Sequence, residues 1–186
     1  LKEIFGEQMI IYKTDEEIKK MREAGRLCAK LLDQVAKFIK IGISTEEINT
    51  LVNDFALIHN AIPATLNYNG FPKSVCTSIN NVVCHGIPSP NEILKDGDII
   101  NVDVTLILNG YFGDSSRTFL VGNVSEQARL LVERTEKAMY KGIEAIGPGK
   151  MLFEVGKAIE TYLKPFHYGI VREYGGHGVG RSFHED

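Results

Sequence analysis

Three histidines and two aspartates stand in this sequence where they could do chemistry together. Asp103 and Asp114 lie in DIINVDVTLILNGYFGDSSRTFLV, residues 98–121. His85 closes the run SVCTSINNVVCHGIP, and His177 and His184 lie in YGGHGVGRSFHED, where the chain stops. Carboxylates joined by an imidazole suit a divalent cation, because hard ions prefer oxygen ligands and one His admits Zn, Fe or Mn. His177 is flanked by Gly175, Gly176, Gly178 and Gly180, which let backbone approach a ligand closely. No HExxH pattern occurs, so a zinc site borne on one helix is excluded; the His-Glu-Asp at 184–186 is followed by nothing. His59 and His167 fall at the ends of predicted helices and read as capping or surface residues.

The aspartates need an element that brings them together. Asn109-Gly110 between two apolar-rich runs predicts a two-residue hairpin. That turn sets Leu108 opposite Tyr111, and therefore Asp103 opposite Ser116 and Thr105 opposite Asp114. Side chains alternate along a strand, so residues 103, 105, 114 and 116 share one face with Asn101 and Thr118. Asp103 and Asp114 become diagonal neighbours, roughly 7–8 Å apart at the backbone, with room for a cation between their carboxylates. Two aspartates on an arbitrary hairpin more often make a solvated polar face. Here the run around Asp103 is mostly apolar, and a carboxylate near a core needs a partner.

The rest of the chain reads as helices in a repeated pattern. Thr14 or Asp15 caps a helix with apolar positions Ile18, Met21, Leu27, Leu31, Leu32 and Val35. Gly42 ends it, and Ser44 or Thr45 opens a second carrying Ile48, Leu51, Val52 and Phe55. Ser125 caps a later helix with Leu131, Ala138, Met139 and Ile143, and Gly149 separates it from one with Val155, Ile159 and Tyr162. At an offset of 107 residues, Gly42 meets Gly149, Glu47-Ile48 meets Glu154-Val155, and Phe55 meets Tyr162. We read this as an internal duplication: a first half of about residues 14–122 and an incomplete second half of about 123–186, within one catalytic domain spanning 1–186. The second copy stops at the equivalent of Ile79, so the chain reads as part of a longer protein.

Composition narrows the classes. The 186 residues are 44% hydrophobic and 24% charged with a net charge of −3, ordinary for a globular domain and against a dedicated nucleic-acid or polybasic membrane surface. No apolar run approaches the ~20 residues that span a bilayer. The start, LKEIFGEQMIIYKTDEE, lacks a secretory pattern and an initiator Met. Cys28, Cys76 and Cys84 form no CxxC pair and read as reduced thiols in a cytoplasmic protein.

Taken together, NYNGFPKSVCTSINNVVCHGIP (67–88), DGDIINVDVTLILNGYFGDSSRTFLVG (96–122) and GGHGVGRSFHED (175–186) resemble the type I methionine aminopeptidases. The resemblance runs from about Thr14 to the last residue. It implies an α+β pita-bread fold: two duplicated α/β halves around a curved, mainly antiparallel sheet. It implies two divalent ions (Co, Mn, Fe or Zn), with Asp103 chelating the first, Asp114 bridging both and His177 binding the second. The family's remaining two ligands are glutamates on later strands, which this sequence does not contain. It further implies that His85 and His184 hold the scissile peptide, with His184 stabilising the developing charge. Tyr68, Phe71, Cys76 and Phe183 match the apolar pocket for the methionine side chain, where a thioether is recognised by shape and polarisable contact.

The activity so implied is removal of the N-terminal methionine from nascent chains, through attack by a metal-bridging hydroxide. The implied partners are nascent polypeptide N-termini near the ribosome, with neither membrane nor specific nucleic acid, and the chain is expected to be a monomer. Two other readings stay open. One is a non-catalytic peptide- or protein-binding module on the same fold, to which a chain ending at residue 186 would come close. The other is a proline-specific relative, disfavoured by the KSVCTSINNVVCHGIP and GHGVG..FHE stretches. The lack of a zinc-finger or proline-rich extension before Thr14 points to the short, bacterial or organelle-like form.

Overall fold

The computed structural model describes residues 10–185. The first residues of the leader reading, 1–9, and Asp186 lie outside them. The chain divides into two compact units: residues 1–123 with 176–186, and residues 124–175.

The first unit begins with helix α1 (Asp15–Phe38) and helix α2 (Thr45–Ile58). Both open on a capping box. Thr14 accepts from the Glu17 N–H and Ser44 from the Glu47 N–H, while each glutamate accepts from its cap's N–H in return. These reciprocal bonds satisfy donors that a helix start otherwise leaves orphaned. Gly42 makes the turn between the helices at φ +92°, a conformation that a Cβ would disfavour.

Among the described residues, four antiparallel strands complete this unit: β1 (Ile62–Pro63), β2 (Cys76–Ile79), β3 (Ile99–Leu108) and β4 (Tyr111–Leu120). β3 is the centre. Its whole length pairs with β4 on one edge, while β2 and β1 share the other. Asn109 and Gly110, at φ +52° and +80°, form the turn that the Asn-Gly pair predicts. The register follows: Leu108 pairs with Tyr111, Asp103 with Ser116 and Thr105 with Asp114.

One face of β3 makes the core. Ile100, Val102, Val104 and Leu106 are fully buried and cluster with Cys28, Leu31, Leu32 and Val35 of α1 and Ile48, Val52 and Phe55 of α2. Burying each large apolar side chain stabilises the fold by roughly 1.5–3 kcal/mol relative to exposure. The helices thus cover one face and leave the other, with Asp103, Thr105 and Asp114, for the site. Ala24 and Cys28, not among the expected apolar positions of α1, prove central, whereas Ile18 stays exposed.

Thr77 of β2 is 1% exposed, and among the described residues its hydroxyl has no hydrogen-bond partner. A buried unpaired hydroxyl costs about 1–3 kcal/mol. Thr77→Val keeps the shape and removes the orphan, so the urea midpoint should rise by the equivalent of about 1 kcal/mol at unchanged slope.

The second unit holds α3 (Glu126–Glu144), capped by Ser125, and α4 (Phe153–Leu163). The repeat is visible in its local geometry. Gly149 turns at φ +75° as Gly42 does, and the Glu154 carboxylate accepts from the Met151 N–H as Glu47 does from Ser44. Ala138 is buried as its position predicts, but Leu131, Met139 and Ile143 are 40–52% exposed. Among the described residues this unit contains no strand, so those side chains lack the sheet that backs α1.

Candidate metal centre and substrate pocket

β3 and β4 deliver the two aspartates, and the segment 176–185 folds over them. Gly178 and Glu185 bridge in antiparallel fashion, each donating its N–H to the other's carbonyl at 2.8 Å. The Phe112 N–H of β4 donates to the Gly180 carbonyl at 2.9 Å, tying that small loop to the strand carrying Asp114. The result is a cavity of about 630 Å³ whose walls include Asp103, Asp114, His177, His85, His184, Tyr68, Phe71, Cys76 and Phe183. Every residue that the sequence singled out for the site therefore borders one space.

Sequence reasoning did not single out Thr65, Asn69, Gly70, Pro72 and Ile87, which also line it. Asn69, Gly70 and Pro72 interleave with Tyr68 and Phe71 in NYNGFP, and a tight turn there brings the whole segment to the wall. Asn67 and Asn69 adopt positive φ and Gly70 reaches φ +82°. That turn was the available signal.

The aromatic side of the cavity is a stack. The Phe183 and His184 rings lie 4.7 Å apart and nearly parallel, Tyr68 sits 4.7 Å from Phe183, and His177 lies 4.2 Å from His184. The Tyr68 hydroxyl is 2.8 Å from His184 Nδ1. Burial, then the neighbouring His177, lower the pKa of His184, which favours a neutral ring at physiological pH.

The polar side repels itself. Asp103 is pushed up to about 6, first by burial and then by the Asp114 carboxylate, with His177 acting the other way. Thr105 donates its hydroxyl to Asp114 Oδ1 at 2.9 Å. The His177 ring contacts the Gly178 carbonyl through Nδ1 at 2.9 Å, and a carbonyl only accepts, so the proton sits on Nδ1. That leaves Nε2, 3.6 Å from Asp114 Oδ2, too far for a hydrogen bond. Two ligands each about 2.0–2.2 Å from one ion lie within roughly 4.2 Å of each other, so this pair suits a shared cation. Among the described residues no three His, Cys, Asp or Glu side chains are gathered closely enough to form a ready cluster. The donor chemistry fits a divalent ion: a desolvated Asp103 carboxylate with the Asp114 carboxylate beside it, and an imidazole nitrogen oriented by a backbone carbonyl.

A raised carboxyl pKa has a defined sign. The folded chain holds a proton on Asp103 up to about pH 6 that the unfolded chain sheds near 3.8. Charged Asp103 therefore costs stability fully above pH 6, and the cost fades as pH falls toward 3.8. In chelator-treated protein, Asp103→Asn should stabilise by on the order of 2 kcal/mol at pH 8 and by little at pH 4, read by thermal unfolding at the two pH values.

Comparison with known proteins agrees with this geometry. Residues 19–186 match metallopeptidase family M24. A methionine aminopeptidase of Rickettsia prowazekii is 50% identical over 172 residues, covering 92% of this chain and 66% of that protein. The crystal structure of methionine aminopeptidase from R. prowazekii superposes with a TM-score of 0.93 at 49% identity, over 96% of this chain and 71% of that one. A prolidase from Pyrococcus furiosus shares the fold more distantly, with a TM-score of 0.79 at 26% identity over 94% of this chain and 50% of that one. The chain spans about two thirds of the length of the curated relatives it matches. The family match over residues 19–186 and identity of 50% over 172 residues place the chain in metallopeptidase family M24, among the methionine aminopeptidases, with the prolidase that shares their α+β fold less similar to it.

Proposed function

We propose that this chain's site removes the N-terminal methionine from peptides and nascent proteins, with Asp103, Asp114 and His177 holding divalent metal. The observation that carries the reading is the convergence of the Asp103–Asp114 face with an aromatic, half-apolar cavity in one space. When bound, such an ion lowers the pKa of water toward neutrality and polarises a carbonyl. A pair of ions, of Co, Mn, Fe or Zn, is the finer reading, supported by two carboxylates with one imidazole.

The chain's own residues bind and orient the substrate. Tyr68, Phe71, Cys76 and Phe183 form the wall against which an unbranched thioether side chain packs. Burial, then the nearby Asp103, push the Cys76 thiol up to about 12, so it remains a neutral, apolar contact and not a nucleophile. A neutral His184 that accepts from the Tyr68 hydroxyl at Nδ1 carries its proton on Nε2. From there it donates a hydrogen bond to the scissile carbonyl oxygen as negative charge develops. His85, at the cavity wall, holds the same peptide unit.

Nascent chain N-termini near the ribosome are the natural substrates on this reading, and the protein acts as a cytoplasmic monomer. Among the described residues no helix is long and apolar enough to cross a membrane. The test is release of free methionine from a Met-Ala peptide with Mn2+ or Co2+, in the 186-residue chain and in one lengthened to the span of its relatives. Metal-dependent release in either supports the reading. Its absence from both leaves a non-catalytic peptide-binding module.

A further inference from the structure

Glu185 stands one residue past His184 and belongs to neither the metal ligands nor the pocket wall. Its side chain is only 9% exposed, and it is heavily bonded. One oxygen, Oε1, accepts from the Arg181 N–H at 2.8 Å and the Ser182 N–H at 3.3 Å, closing the turn of the loop from inside. The other, Oε2, meets the Lys13 ammonium at 2.5 Å. Lys13 is itself 13% exposed and sits just before α1, where it also donates to the Ile11 carbonyl. Gly180 shares the design, because a Cβ there would run into the Glu185 carboxylate.

A second contact joins the same two segments. The Arg181 guanidinium reaches Glu17 Oε1 at 3.1 Å and lies over the Tyr111 ring, and the Tyr111 hydroxyl donates to the same oxygen. Glu17 uses its other oxygen for the capping box of α1. Arg181 is 69% exposed against 16% for Glu17, so water screens this pair from one side and it is worth little by itself. The Lys13–Glu185 pair is desolvated, and losing one partner of such a pair leaves a buried charge without compensation.

We propose that Lys13 and Glu185 are positioning residues: a buried clasp from the start of α1 that sets the loop carrying His177, Phe183 and His184. The clasp acts through the bridge between Gly178 and Glu185, which fixes where both histidines lie along the loop. It rests on the proposed function only in giving those histidines their roles. The loop's geometry is measurable without metal or substrate, so the two readings fail separately.

The experiment compares wild type with Lys13→Met, Lys13→Arg and Gly180→Ala in the chelator-treated chain. Two quantities are read: amide hydrogen exchange at Gly178 and Glu185, and the ring-nitrogen chemical shifts of His184, set by its Tyr68 contact. Lys13→Met and Gly180→Ala, which break the clasp from opposite sides, should each speed exchange at both amides at least 10-fold. They should also move the His184 shifts toward those of a solvated histidine, and Lys13→Arg should preserve both signals. Lys73→Met serves as control, removing the Lys73–Glu46 pair outside the loop. Unchanged exchange and shifts in Lys13→Met overturn the proposal, as does an equal effect in Lys73→Met, which would mark a general loss of stability.

Discussion

Replacing Asp114 by asparagine should lower the Mn2+ affinity of the pocket by about 100-fold or more, since loss of even an outer partner of a ligand costs 10–100-fold. Asp114 is the aspartate that faces His177 Nε2 directly, at 3.6 Å, while its other oxygen is held by Thr105. Asparagine keeps an oxygen for Thr105, so the local geometry survives while the charge is lost. The metal-free variant should unfold no earlier than wild type, because Asp103 loses the like charge that helps to raise its pKa. Calorimetric Mn2+ titration and thermal unfolding together separate this outcome from misfolding. Lost affinity with a lowered melting temperature would assign Asp114 to the fold instead.

Gly113→Ala should destabilise the chain by about 3 kcal/mol, at the upper end of what overpacking usually costs. A Cβ at Gly113 would stand 2.5 Å from the Ala24 carbonyl carbon and 2.7 Å from the Gly25 nitrogen, all backbone of α1. A helix backbone cannot swing aside as a side-chain tip can, so α1 must lift from β4. The lift also strains the bond from the Cys28 thiol to the Gly113 carbonyl, 3.1 Å in the native packing. Asp114 is the next residue, so metal affinity should fall with stability. Gly25→Ala is the control on the same helix: its Cβ meets nothing within 4 Å, and the exchange should stabilise by up to about 1 kcal/mol through helix propensity. Urea unfolding measures both, and equal midpoints for the two variants would refute the close-contact argument.

What could be read from the sequence follows from how local its cause was. The hairpin register was legible to the residue because Asn109-Gly110 leaves one turn geometry, and the turn dictates every pair from Leu108–Tyr111 to Ile99–Leu120. The helix caps were legible to within one residue for the same reason, as Thr14 or Asp15, Ser44 or Thr45, and Ser125, each acting within four residues of itself. Asp103 and Asp114 on one face follow from that register. Bringing His177, His184 and Tyr68 to them rested on family resemblance, because no local rule spans the 116 residues between Tyr68 and His184. The Lys13–Glu185 pair, separated by 172 residues, had no signal at all. Lys13 reads as one of many surface lysines until the fold places it against a desolvated carboxylate. Exposure of Leu131, Met139 and Ile143 was equally hidden, since helical periodicity shows which face is apolar but not what covers it.

The central claim is that Asp103, Asp114 and His177 form a divalent-metal site beside the substrate pocket. Paramagnetic broadening by Mn2+ tests it most directly, because it detects weak binding and reports location. With substoichiometric Mn2+ added to the chelator-treated chain, resonances of Asp103, Asp114, His177 and His184 should broaden first, and Asp114→Asn should abolish the effect. Broadening that begins instead at the surface carboxylates Glu126 and Glu133 of α3, with the pocket resonances unchanged, would contradict the account.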